Sequence, residues 1–285
     1  AGVELDERQI IAKYYRERAM PHLIPFPTRV QPHSMDPIPE GLEVWDIDSP
    51  ISEIDWFGTL VEGTHIIPGV TTRRRMTGSS PDGEPDRMPI DLYLGVDCSG
   101  SMGNPAHHLS YPVLAGAIIA LSALRSGSKV KVALSGEPGL TKTTDGFLRQ
   151  SSTILATLTD YLGTGYAFGI HRLRETFDNL PRGTRPIHIL IVSDNDMFKM
   201  LDEKASDGPT GWDVAARAVD QAGGGATFVL ELPDHVLSSS WGQQSSRYLD
   251  KIKAMGWNVS IVSSMEQLVQ FARDFSNHNY KVNAR

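Results

Sequence analysis

Residues 90–101 read Ile-Asp-Leu-Tyr-Leu-Gly-Val-Asp-Cys-Ser-Gly-Ser. The mostly apolar run to Val96 breaks abruptly into polar residues, the pattern of a short strand covered on both faces. Working outward, 103–127 supplies a loop and then a helix, and KVKVALSG (129–136) is the next strand. SSTILATLTDYL (151–162) places Ile154, Leu155, Leu158, Tyr161 and Leu162 on one helical face. The Gly-Thr-Gly turn at 163–165 interrupts it, and 166–180 resumes as a helix. PIHILIVSD (186–194) is a strongly apolar strand, 211–225 a helix with a glycine stop, and 226–232 a strand. A helix at 245–257, a strand at 258–264 and a closing helix at 265–275 complete the series. Strands alternating with helices predict an α/β fold: three layers, with a mostly parallel central sheet and helices on both faces.

Upstream the pattern changes. Asp6 and Gln9 fit a capping box for a helix over Asp6–Met20, which Pro21 ends. Pro25, Pro27, Pro32, Pro37 and Pro39 keep the following segment irregular, with short strand-like runs at Leu42–Trp45 and His65–Ile67. TGSSPDGEPDRMP (77–89) has linker composition, so the expected division is 1–89, a helix and proline-rich segment packing on the main domain through Trp45 and Trp56, and 90–285, the α/β domain.

Composition narrows the function classes. The 285 residues are 40% hydrophobic and 21% charged, which excludes a mainly disordered chain, and no run is long and apolar enough to span a membrane. A net charge of −7 argues against nucleic acid as partner, and Arg73, Arg74 and Arg75 read as a solvated loop. One cysteine cannot form an internal disulfide, so the expected setting is reducing and cytoplasmic. The opening AGVELDERQI has neither Met nor a signal segment and reads as a trimmed chain or part of a longer one.

In open parallel sheets, ligands bind beyond the carboxyl ends of the strands. Three polar clusters fall there: Asp97 to Ser101, Gly163 to Gly165, and Ser193-Asp194-Asn195-Asp196. Their carboxylates and hydroxyls are hard oxygen donors that suit Mg²⁺ or Mn²⁺. Gly100 lets the backbone turn so that Ser99 and Ser101 face one point.

At this point the chain resembles the von Willebrand factor A domains. Asp97, Ser99 and Ser101 match the DxSxS signature of their metal-ion-dependent adhesion site. Thr164 matches the threonine of the second loop, and Asp194 the aspartate of a run usually written TDG, here Ser-Asp-Asn. The resemblance implies a Rossmann-like sheet and metal ligands Asp97, Ser99, Ser101, Thr164 and Asp194. It also implies a non-enzymatic module whose partner protein supplies an acidic residue to the metal. Residues 42–69, with Asp46, Asp48, Ile54, Asp55 and Trp56, are similar to the stretch preceding the A domain in bacterial proteins that work with MoxR-type AAA+ ATPases. That implies an intracellular adaptor or chaperone-like role beside such an ATPase, with no nucleic-acid or membrane partner.

Other signals lead elsewhere. Gly163, Gly165 and Gly169 follow a helix rather than a strand, which excludes a dinucleotide fingerprint. No Walker A pattern occurs, and no serine sits in G-x-S-x-G. His107 and His108 read as solvated loop residues, and Cys98 as a buried, inert thiol. The enzyme alternative is a Mg²⁺-dependent phosphatase of haloacid dehalogenase type with Asp97 as nucleophile. Ser99 stands where that chemistry needs a second carboxylate as general acid.

Overall fold

The computed structural model describes residues 6–30, 38–63, 65–78, 87–136, 141–165, 169–181, 185–194, 196–204, 208–232 and 240–281. In chain order the elements are α1 (Glu7–Ala19), β1 (Thr28–Val30), β2 (Ile38–Val44), α2 (Trp56–Glu62), β3 (Arg73–Gly78), β4 (Arg87–Pro89), β5 (Asp91–Val96), α3 (Tyr111–Arg125) and β6 (Val130–Leu134). They continue with α4 (Ser151–Leu158), α5 (Ile170–Asp178), β7 (Ile187–Asp194), α6 (Met197–Asp202), α7 (Gly211–Ala222), β8 (Gly223–Glu231), α8 (Ser240–Ala254), β9 (Trp257–Ile261) and α9 (Met265–Lys281). The chain divides into two compact units, Ala1–Arg29 with Pro89–Arg285, and Val30–Met88. The boundary read from the sequence differs, because it groups α1 with the segment that follows it.

In the larger unit five parallel strands lie in the order β6-β5-β7-β8-β9. Side chains alternate across this sheet, and the alternation sorts them into two cores. Leu92, Leu94, Val96, Leu190 and Val192 join buried residues of α1, α3, α4 and α9 in one cluster. Tyr93, Ile187, Ile189, Ile191 and Phe228 join those of α5, α6, α7 and α8 in the other. A strand with both faces covered has no polar side to show, which is why β5 and β7 are buried at every position.

Helix α1 follows its sequence signals. The Gln9 N–H donates to Asp6 Oδ1 at 2.7 Å, and the Asp6 N–H donates to Gln9 Oε1 at 3.1 Å, completing the capping box. Its Tyr15 is fully buried, and the phenolic oxygen accepts from the Ser110 N–H at 3.0 Å. Further along the same segment, Phe26 stacks on Phe275 of α9 with ring centroids 6.0 Å apart.

The smaller unit is built on the antiparallel pair β2 and β3, which places Glu43 opposite Arg74 and Leu42 opposite Arg75. The arginine run is therefore a strand, not the expected solvated loop. Arg74 is held by cross-strand charge, its Nε 2.6 Å from Glu43, and Arg75 by the residue before α2, its Nε 2.5 Å from Asp55. His65–Ile67, expected as a strand, is irregular. Most of the expected linker, residues 79–86, lies outside the described residues. Asp55 caps α2 by accepting from the Gly58 N–H at 3.0 Å. Trp45 is buried, with its indole N–H donating to Pro50 O at 3.1 Å, whereas Trp56 is exposed.

Candidate functional site

The strand order creates the site. From β5 the chain runs through α3 to β6 on one side, then through α4 and α5 to β7 on the other. Connections leaving in opposite directions open a crevice at the carboxyl ends of β5 and β7. Asp97 follows β5, and Asp194 ends β7.

Asp97 is almost fully buried and tightly held. Its Oδ1 accepts from the Ser99 N–H at 2.7 Å, and its Oδ2 accepts from Ser193 Oγ at 2.7 Å. Ser135, which follows β6, steadies the same turn: its Oγ accepts from the Cys98 N–H at 2.8 Å. Burial pushes the Asp97 carboxyl up to about 7; the bonds from Ser99 and Ser193 oppose the rise, and the charge of Asp194 adds to it. Ser99 Oγ and Ser101 Oγ are hydrogen-bonded to each other at 2.9 Å, Ser99 buried and Ser101 exposed. Gly100 between them has open space where a Cβ would be.

Thr164 reaches the site through its backbone. Its N–H donates to Cys98 O at 3.2 Å, and its carbonyl accepts from the Gly100 N–H at 3.0 Å. The two loops thus form a parallel bridge between Ser99 and Thr164. Tyr161 ties them again, donating its hydroxyl to Ser99 O at 3.2 Å.

Asp194 is buried opposite Glu231 of β8, and burial together with the Asp194 charge raises the Glu231 carboxyl. Asn195 lies outside the described residues, while Asp196 donates its N–H to Asp194 Oδ1 at 2.8 Å.

All five expected ligand residues therefore stand on the crevice side of the sheet. Direct contacts join Asp97, Ser99 and Ser101, and Asp194 acts on them through its charge. Among the described residues there is no group of three or more His, Cys, Asp and Glu placed to hold a metal. Any cation here depends on hydroxyl oxygens as much as on carboxylates. Sequence reasoning left out Ser135 and Glu231, gave Ser193 no role, and placed Tyr161 on a helical face, although α4 ends at Leu158. Ser135 and Ser193 share a signal with Ser99, a serine just past or at the end of an apolar run. Cys98 is buried, and its thiol is pushed up to about 12 by burial first and then by the Asp97 charge, so it is inert. His107 and His108 are exposed in a turn.

No family model matches the chain, and no curated protein does. Among solved structures, the pilus adhesin SpaC from Lactobacillus rhamnosus GG in its open conformation matches at TM-score 0.45 and 12% identity, over 68% of this chain and 30% of that one. The PilB minor pilin from Streptococcus sanguinis matches at TM-score 0.38 and 15% identity, over 78% of this chain and 67% of that one. A point mutant of PilB matches over the same shares at TM-score 0.41 and 15% identity. This chain thus spans under a third of the adhesin's length. At these identities nothing of those proteins' activity transfers to it.

These findings correct four expectations. The membership among von Willebrand factor A domains, with a metal-ion-dependent adhesion site, finds no family match, and the matching structures are named as pilus proteins. The intracellular adaptor role beside a MoxR-type ATPase falls with it, as does the cytoplasmic setting read from a single cysteine. The phosphatase alternative falls too, and the site gives a physical reason: Asp97 is almost fully buried with its carboxyl pushed up to about 7, and Ser99 stands where the general acid would be. Among the described residues no helix is long and apolar enough to cross a membrane.

Proposed function

We propose that the crevice at the carboxyl ends of β5 and β7 takes a divalent cation, Mg²⁺ or Mn²⁺, and uses it to bind an acidic group of a protein ligand without catalysing a reaction. One observation carries this reading, the 2.9 Å spacing of Ser99 Oγ and Ser101 Oγ. An octahedral ion with ligands at about 2.0–2.1 Å sets neighbouring ligands about 2.9 Å apart, so the pair spans one edge of such a shell. Asp97 would act from behind through its hydrogen bonds, with Thr164 and Asp194 completing the site directly or through water. The exposed side at Ser101 leaves room for an incoming carboxylate to join the ion as a further oxygen ligand. The ion's role is to supply positive charge for that contact.

Calorimetric titration with Mn²⁺ tests the reading on the wild-type chain, Ser101→Ala and Asp194→Asn. Ser101→Ala removes one oxygen ligand and Asp194→Asn one negative charge, and each is expected to weaken Mn²⁺ binding by about tenfold or more. Equal affinity in the three proteins would end the assignment. The ligand half is tested by adding a glutamate-rich peptide, expected to bind the Mn²⁺-loaded chain and not the chain in EDTA.

A further inference from the structure

The smaller unit turns its apolar side chains outward. Of the fourteen exposed large apolar side chains among the described residues, eleven lie within Val30–Met88. Helix α2 shows the reversal most clearly. It buries Gly58 and Thr59, and a Cβ at Gly58 would meet Leu42 Cδ1 at 2.7 Å. It exposes Trp56, Phe57, Leu60 and Val61, with Phe57 at 77% and Val61 at 71%. Single exposed apolar residues are ordinary, but four on one short helix mark an interaction face.

Charge says what the face fits. Residues 30–88 contain eleven Asp and Glu against four Arg, which accounts for the whole net charge of −7. Beside Trp56 a cleft of about 660 Å³ is lined by Glu43, Glu53, Asp55, Arg74 and Arg75. Its two guanidiniums are already taken up, Arg74 by Glu43 and by Glu53 at 3.6 Å, and Arg75 by Asp55. Among the described side chains of this unit, Glu43, Asp46, Asp48, Glu53 and Asp55 outnumber Arg73, Arg74 and Arg75, so the field around the apolar face is negative. A second copy would bring two such fields together, and anionic lipid would be repelled.

We infer that α2 docks onto a protein surface with an apolar centre and a basic rim. The partner's apolar side chains cover Phe57, Leu60 and Val61, and a Lys or Arg enters the cleft against the Trp56 ring, where cation–π attraction and the excess of three carboxylates over two guanidiniums hold it. This rests on the smaller unit alone and is independent of the cation site.

The probe is a synthetic amphipathic helical peptide of leucine and lysine, titrated into the full chain with a scrambled peptide of the same composition as control. The wild type is expected to bind the amphipathic peptide, and the double variant Phe57→Ser/Val61→Ser to bind it about tenfold or more weakly. The scrambled peptide is expected to bind both proteins at the variant's level. Equal binding of peptide by wild type and variant would reduce the effect to bulk charge and overturn the inference. Wild-type dimerisation or binding to phosphatidylglycerol vesicles, either one lost in the variant, would assign the face to a second copy or to lipid instead. A lower melting temperature of the free variant would mean that the chain already covers this face itself.

Discussion

The two ends of the central sheet each bury a titratable group, and they treat it in opposite ways. At the amino end, His188 lies wholly inside, its ring between Gly224 O at 2.9 Å from Nδ1 and Thr227 Oγ1 at 3.0 Å from Nε2. A carbonyl can only accept, so Nδ1 carries the proton and Nε2 accepts from the threonine. Every polar atom of the ring is satisfied in the neutral form, and burial pulls the imidazole down to about 4. At the carboxyl end, Asp97 also has its hydrogen bonds, yet burial, with the charge of Asp194 adding to it, raises its carboxyl to about 7. The amino end is complete as it stands. The carboxyl end sets one buried carboxyl beside another, and that is where the proposed cation would act.

The largest test of this contrast lies at the amino end. A Cβ on Gly224 would stand 2.4 Å from Ile187 O and 2.8 Å from the His188 nitrogen, both backbone atoms that cannot swing away. Gly224→Ala is expected to destabilise the larger unit by about 4 kcal/mol or more, read by urea unfolding. A loss below about 1 kcal/mol would show that β7 and β8 are not packed as described.

Next in size is the dependence on pH. For Asp97 the folded-state value lies above the unfolded one, so stability falls as pH rises from about 4 to about 7, by on the order of 4 kcal/mol. For His188 the folded-state value lies below, so stability falls as pH drops from about 6.5 to about 4, by on the order of 3 kcal/mol. The two slopes oppose each other across the same window and largely cancel. Asp97→Asn removes one of them, and its stability in EDTA is expected to climb between pH 4 and 6.5 where the wild type stays flatter. Parallel profiles for the two proteins would mean that Asp97 carries no such penalty.

The smallest effect sharpens the carboxyl end. Ser101 is exposed, so Ser101→Ala without metal is expected to change unfolding stability by less than about 0.5 kcal/mol. Saturating Mn²⁺, at about a hundred times its dissociation constant, is expected to add about 2.7 kcal/mol to the wild type and much less to the variant. A large loss in the metal-free variant would make Ser101 a structural residue.

The sheet was legible because burial on both faces leaves a plain mark: β5 and β7 are nearly unbroken apolar runs that stop at polar residues. The loops after β5 and β7 were legible for the same reason, since the polar residue after such a run is where a crevice forms, whereas the Gly163–Gly165 turn follows a helix and carries no such mark. Ser135 and Glu231 were not singled out, because one polar residue at a strand end has no local signature until neighbouring strands align it. Helix α6 was missed because six residues are too few to show a period. The β2–β3 pair was missed because Arg73, Arg74 and Arg75 mimic a surface loop in composition. Their strand character comes from Leu42, Glu43 and Val44 across the ladder, with Glu43 thirty-one residues from its partner Arg74 in sequence.

The position of α1 bears on how this chain answers to proteases. Residues before Arg29 and after Pro89 belong to one body, so Val30–Met88 is an insertion with both ends rooted in it. A single cut inside the insertion would break the covalent path between α1 and β5 but not their association. Tyr15 at Ser110, the Ile24 N–H on Ser122 Oγ at 3.1 Å, and Phe26 against Phe275 would still hold the amino-terminal fragment in place. Nicked chain would run as two bands on a denaturing gel and as one particle in solution. A fragment that starts at residue 90, by contrast, would lack three groups that close its own core.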